Sequence, residues 1–172
     1  AGSLTAAPDV HFSFPKIPDV HSYCFDDIDS VRSAIKEQRT ASSSNIYAII
    51  VEPFSAGTLR QCSTDFLLAV RSLCDAEGII LIFDEVYSGW CKTGDYFAFM
   101  RHDVLPDVLC YSKSFGGGKS SISGYTARVP VFKKAYGNLN DALLHGTTYN
   151  AMGEECVTAI EAIQVMVDED FP

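Results

Sequence analysis

Residues 79–83 are five consecutive apolar side chains, and they directly follow a glycine placed to close a helical pattern. A run so short and so uniformly apolar has no polar face to offer water, so it belongs inside a sheet covered on both faces. A second apolar run, residues 46–51, is bounded by the polar break Ser42-Ser43-Ser44-Asn45 and by Pro53. Between the two runs lies a helix that starts near Ser63 or Thr64. Phe66, Leu67, Val70, Leu73 and Cys74 form its apolar face, and Gly78 ends it. Strand, helix and strand at this spacing make a crossover between parallel neighbours. The fold class that follows is α/β, with a mostly parallel sheet and flanking helices.

The other elements are read from local signals. Residues 1–25, rich in Pro, His and aromatics, read as irregular connection. Asp26 and Asp27 can cap a helix whose apolar positions are Ile28, Val31 and Ile35. Further strands are expected over residues 108–112 and 122–127. Pro130 can open a short helix closed by Gly137. A last helix is expected over residues 154–167, with Cys156, Ile160, Ile163 and Val167 facing inward. No internal repeat is present.

Composition removes several classes of function. The formal net charge is −9, from 22 acidic and 13 basic residues, which argues against a nucleic-acid partner or an anionic membrane surface. No apolar stretch is long enough to cross a bilayer. The six cysteines form no CxxC pair and read as reduced thiols rather than a disulfide framework. The chain begins at Ala1, without Met and without a signal segment. The expectation is a cytoplasmic protein of which these 172 residues are a central piece. No metal site is expected.

In open parallel sheets, ligands lie beyond the carboxyl ends of the strands. Three polar groups fall at such ends: Glu52, the pair Asp84-Glu85, and Lys113. Any one of them alone would read as a solvated loop residue. Asp84 stands out because it follows five apolar residues and so begins at the edge of a buried layer. Lys119, inside the glycine turn, reads as solvated; Arg128 and His145 could contact an anion but read rather as structural or solvated.

Two families share parts of this pattern. Residues 79–85 resemble the apolar strand ending in Asp-Glu of P-loop ATPases, and Gly118-Lys119-Ser120 resembles the end of their phosphate loop. That loop needs a glycine where Lys113 stands, and it precedes the strand rather than following it. The second likeness is broader. Ile79-Ile-Leu-Ile-Phe-Asp-Glu-Val86, then Thr93-Gly94 and Phe97, then Pro106-Asp107-Val108, Ser112-Lys113 and Gly116-Gly117-Gly118 resemble the class III aminotransferases of the type I pyridoxal-phosphate fold. Gly146-Thr147-Thr148-Tyr149 and the upstream pair Glu52-Pro53 extend the likeness, which runs from about residue 46 to residue 167.

The resemblance implies pyridoxal 5'-phosphate as cofactor and a role at each matching position. Lys113 would form the Schiff base with the cofactor aldehyde, and burial would help to keep its amine neutral. Asp84 would hold the pyridine nitrogen protonated, Val86 would pack on one ring face, and Glu52 would support the site. Thr148 would bond the cofactor phosphate across the interface of a homodimer with shared sites. The chain would then be a partial cofactor-binding large domain, lacking its N-terminal part and the small C-terminal domain. The whole protein would move an amino group between an amino donor and a keto or aldehyde acceptor, and the isolated piece would be inactive. Aminomutase, racemase and decarboxylase chemistry, or a cofactor-free binding homologue, remain open on the same motifs. Tyr87 stands where relatives often carry an amide. Residues 149–153 and Ser120-Ser121 also depart from the family pattern, which puts the substrate in doubt.

Overall fold

The structure, a computed structural model, describes residues 20–41 and 45–172. The reading of residues 1–19 as irregular, and the break at Ser42, Ser43 and Ser44, lie outside the described residues. In chain order the elements are α1 (Ile28–Ala41), β1 (Ala48–Val51), α2 (Thr64–Glu77), β2 (Ile80–Asp84), β3 (Val108–Tyr111), β4 (Gly124–Ala127), α3 (Val129–Tyr136) and α4 (Gly153–Asp168), with 3-10 turns at Ala98–His102, Lys113–Gly116 and Leu139–Asp141.

The helix ends follow from local chemistry. Asp27 Oδ1 accepts from the amides of Asp29 and Ser30 at 3.0 and 3.2 Å, satisfying donors that the first turn of α1 leaves open. Ser63 Oγ does the same for Phe66 at the start of α2. Gly78 closes α2 in the left-handed region, with φ +66°. Asp26 Oδ1 takes both the amide and the hydroxyl of Ser63, at 2.8 and 2.9 Å, so the two helix starts are tied together.

The sheet order is β1-β2-β3-β4. The first three strands are parallel, with Val51 opposite Phe83 and Asp84 opposite Cys110. This register brings three carboxyl ends to one edge. β4 runs antiparallel to β3. The link from Tyr111 to Gly124 holds one short 3-10 turn and no helix, too little for a parallel crossover, so the chain turns back.

The core lies between the sheet and the pair α1 and α2, where Val31, Ile35, Phe66, Leu67 and Val70 meet Ile49, Val51, Leu81, Phe83 and Leu109. The opposite sheet face differs from the double cover that the apolar runs suggested. Ile80, Ile82 and Cys110 there are only half-buried among the described residues, and Ile50 is exposed.

α4 also departs from expectation. Ile160 and Val167 are 66% and 52% exposed, and the buried residue of the helix is Ala159, flanked by half-buried Cys156, Ala162 and Ile163. The helix presents its small side chains because the glycine turn comes very close. A Cβ on Gly117, whose φ is +59°, would stand 2.9 Å from the Ala162 Cβ. Bulkier residues cannot occupy that contact, so they face away.

Register between β2 and β3 is set by Asp107. Its Oδ2 accepts from the Leu81 amide at 2.8 Å and from Arg71 Nη1 at 2.9 Å, while Arg128 Nη1 lies 3.3 Å from Oδ1. Burial alone would raise this carboxyl. The Leu81 amide and the two guanidiniums overcome that effect and hold it below the usual carboxylate range. Asp107→Asn should cost about 1.5–3 kcal/mol of unfolding free energy near neutral pH, because charge-assisted bonds are lost and Arg71 is left half-paired. A group whose folded pKa is depressed contributes stability above its unfolded pKa. The deficit should therefore shrink as pH falls below the ordinary aspartate value of 3.8. Denaturant titrations of parent and variant at several pH values test both points.

Candidate active site

Each parallel strand delivers one part of the site. β1 runs into Glu52-Pro53, where Glu52 Oε2 accepts from the Ala56 amide at 2.9 Å and shapes the turn that carries Phe54. β2 ends at Asp84, only 7% exposed, whose Oδ1 accepts from the Val86 amide at 3.1 Å. That bond turns the chain out of the sheet and leaves Val86 and Tyr87 half-buried above the strand end. β3 stops at Tyr111, and Ser112 Oγ fixes the exit by donating to the Ile122 carbonyl at 3.2 Å. Lys113 then opens the 3-10 turn in the left-handed region, at φ +52°.

The three exits meet around one aromatic ring. Tyr87 stacks on Phe54 with centroids 6.1 Å apart and planes 20° from parallel. Lys113 Nζ lies 5.0 Å from the Tyr87 centroid, and Lys92 Nζ lies 5.1 Å from it. Each such contact is worth roughly 0.5–1 kcal/mol at an exposed site. An open hollow of about 870 Å³ runs along the lysine turn and α4, lined among others by Trp90, Lys92, Lys119, Val165 and Phe171.

The residues expected from sequence divide in two. Glu52, Asp84, Val86 and Lys113 all lie along the carboxyl edge of the sheet. Lys113 is exposed, however, not buried among strands, because β3 ends two residues earlier and the side chain reaches over Tyr87. Thr148 belongs instead to an exposed turn between α3 and α4, next to the bonds from Thr147 Oγ1 to Asn150 Oδ1 (2.8 Å) and from Asn150 Nδ2 to the His145 carbonyl (2.9 Å). Lys119 is exposed. Arg128 is taken up by Asp107, and His145 meets the Tyr125 ring at 5.4 Å. All six cysteines are free, and burial pushes the Cys62 and Cys74 thiols up to about 12. Among the described residues no group of His, Cys, Asp and Glu could hold a metal ion.

Two buried polar residues hold networks that the sequence did not disclose: Glu85, marked there only as half of a strand-end pair, and His102. Glu85 is 0% exposed, and its carboxylate accepts from Ser88 Oγ, the Ala98 amide and the Phe99 amide at 2.9, 2.7 and 2.8 Å. Burial raises its pKa against the pull of those three donors. His102 is buried between α2 and the preceding loop. Its Nδ1 meets Thr64 Oγ1 at 2.8 Å and its Nε2 meets Gln61 Nε2 at 2.9 Å. The Gln61 amide donates to Nε2, so the ring is neutral with its proton on Nδ1.

Burial, assisted by Arg101, lowers the His102 pKa. The unfolded chain therefore takes up this proton at a higher pH than the folded chain does. Stability should fall as pH drops below the ordinary histidine value of 6.5. His102→Gln should flatten that slope, and melting curves between pH 8 and pH 5 measure it. An unchanged slope in the variant would assign the acid sensitivity to other groups.

With the site in view, comparison with known proteins decides the family. The family model Aminotransferase class-III matches residues 2–172. The chain belongs to the class III aminotransferases. A putrescine aminotransferase of Pectobacterium atrosepticum is 34% identical over 99% of this chain. The ornithine aminotransferase of Toxoplasma gondii, whose structure shows partial pyridoxal phosphate occupancy at its active site, superposes with a TM-score of 0.79 at 28% identity over 92% of the chain. A transaminase from the marine bacterium Virgibacillus gives 0.73 at 28% identity over 87%. This class III chain spans 36% of the Pectobacterium protein, 35% of the Toxoplasma chain and 34% of the Virgibacillus chain. Among the described residues no helix is long and apolar enough to cross a membrane.

Proposed function

We propose that this chain forms the cofactor-facing wall of a pyridoxal-phosphate-dependent aminotransferase, which moves an amino group between an amino donor and a keto or aldehyde acceptor. The observation that supports this most is the arrival of Asp84 and Lys113 at neighbouring strand ends of one sheet edge, with Asp84 paired to Cys110 three residues before the lysine. The residues fit the cofactor chemically. A buried carboxylate suits a ring N–H, an accessible primary amine suits an aldehyde, and Val86 and Tyr87 offer apolar surface for a flat ring. When bound, pyridoxal phosphate supplies an aldehyde for amines and a ring that withdraws electrons from the bond being broken.

The protein supplies the rest. Lys113 Nζ would hold the cofactor through its aldehyde and, as a free amine, would serve as the base that moves a proton. Asp84 would hold the ring nitrogen and favour its protonated form. Val86 bears on one ring face, and Glu52 shapes the adjoining turn. Thr148, on an exposed turn, serves the phosphate in the site of the neighbouring subunit of a homodimer. The chain is on this account part of a larger cofactor-binding domain of a cytoplasmic enzyme, and by itself it is inactive. The named relatives act on putrescine and ornithine, which supports a small primary amine as donor.

Borohydride reduction of the cofactor-loaded whole protein, followed by peptide mapping, tests the assignment. The cofactor should be fixed on Lys113. A label on Lys92 or Lys119, which share the same hollow, would overturn it.

A further inference from the structure

We infer that Glu85 is a positioning residue for the lysine site, because its carboxylate closes residues 86–97 into a loop and so fixes where Tyr87 and Lys92 stand against Lys113. This rests on Lys113 as the cofactor-bearing residue. The excursion leaves the sheet at Asp84 and ends where the 3-10 turn Ala98–His102 begins. Glu85 grips it near both ends, through Ser88 Oγ at its start and the amides of Ala98 and Phe99 at its close. The Gly89 amide also donates to the Glu85 carbonyl at 2.9 Å. A Cβ on Gly89 would meet that carbonyl at 2.8 Å, so only glycine lets the chain pass so close.

The excursion would not hold this shape unaided. Trp90 and Cys91 are successive non-glycine residues in the left-handed region, at φ 59° and 64°. Both of their amides point at the Tyr96 carbonyl, at 2.6 and 3.3 Å. The Trp90 ring stacks on Phe115 of the lysine turn at 5.0 Å, with planes 12° apart. A continuous path of contacts therefore runs from Glu85 through the excursion to the turn that bears Lys113. The side chain must be a carboxylate. Three donors converge on its two oxygens, and an amide would turn its own NH2 toward an N–H or an O–H. Successive positions along an extended chain point to opposite sides, so Glu85 reaches the loop while Asp84 faces the other way.

The test uses the cofactor-loaded whole protein with Glu85→Gln, Ser88→Ala and Tyr87→Leu. Glu85→Gln should speed amide hydrogen exchange across residues 86–97 and increase acrylamide quenching of Trp90, each several-fold. It should lower kcat roughly ten- to a hundredfold, the loss expected for charge-assisted bonds, while KM for the amino donor stays within about twofold. Tyr87→Leu should lower kcat in the same way without speeding exchange. If Glu85→Gln does not fold, Ser88→Ala carries the test, since it removes one of the three donors and should shift both readouts in the same direction by less.

Faster exchange with an unchanged kcat would make Glu85 a purely structural residue and overturn the proposal, as would unchanged exchange in both Glu85→Gln and Ser88→Ala. Failure of the lysine assignment is seen separately. A borohydride label away from Lys113 removes that assignment, while exchange and quenching still report whether Glu85 holds the loop.

Discussion

Lys113→Ala should leave the protein folded and nearly without turnover. The loss should be roughly 10²–10⁴-fold from proton transfer alone, with the missing covalent attachment adding to it. Folding should survive because Lys113 is exposed and contributes only its contact with Tyr87. Its left-handed backbone, at φ +52°, is no harder for alanine than for lysine, since both carry a Cβ. Borohydride should fix no cofactor, the melting temperature should stay close to that of the parent, and a small added amine should restore part of the rate. A variant within tenfold of the parent rate would move the attachment to another residue.

Asp84→Asn is expected to separate binding from chemistry. Asparagine can still accept from the Val86 amide, so the exit from β2 keeps its shape. Cofactor affinity should fall by about 1.5–3 kcal/mol, the worth of a hydrogen bond to a charged group. Turnover should fall much further, because a neutral amide does not hold a proton on the ring nitrogen and the ring then withdraws electrons poorly. Equilibrium titration with cofactor and single-turnover rates under saturating cofactor measure the two losses independently. Near-normal single-turnover rates would show that Asp84 is not the partner of the ring.

What the sequence disclosed depended on how local each cause was. β2 and Asp84 were legible because an unbroken apolar run has one stable place, and its first polar residue marks the boundary of that place. The caps of α1 and α2 were legible for the same reason, since Asp27, Ser63 and Gly78 act within a turn of themselves. The antiparallel turn of β4 depended on the absence of a crossover helix between Tyr111 and Gly124, a feature that apolar patterning does not encode. The inward face of α4 was misjudged because hydrophobicity favoured Ile160 and Val167, whereas close approach favoured Ala159 and Ala162. The Glu85, Asp107 and His102 networks were hidden for a third reason. Apart from Ser88, three residues from Glu85, their partners lie 13 to 41 residues away in sequence, so no short window on the chain holds both halves of the bond.

The meeting of Gly117 with Ala162 bears on how such chains can diverge. The two positions share one allowance of volume, and they share it unequally. Ala162 can shrink to glycine and leave a small gap near the lysine turn, whereas Gly117 cannot gain even a methyl group, being confined both by the Ala162 Cβ at 2.9 Å and by its own φ of +59°. Homologues should therefore vary freely along the outer face of α4, where Ile160 stands exposed. At position 162 they should be restricted to the smallest side chains, and any lineage that changes Gly117 should have reshaped the turn that presents Lys113.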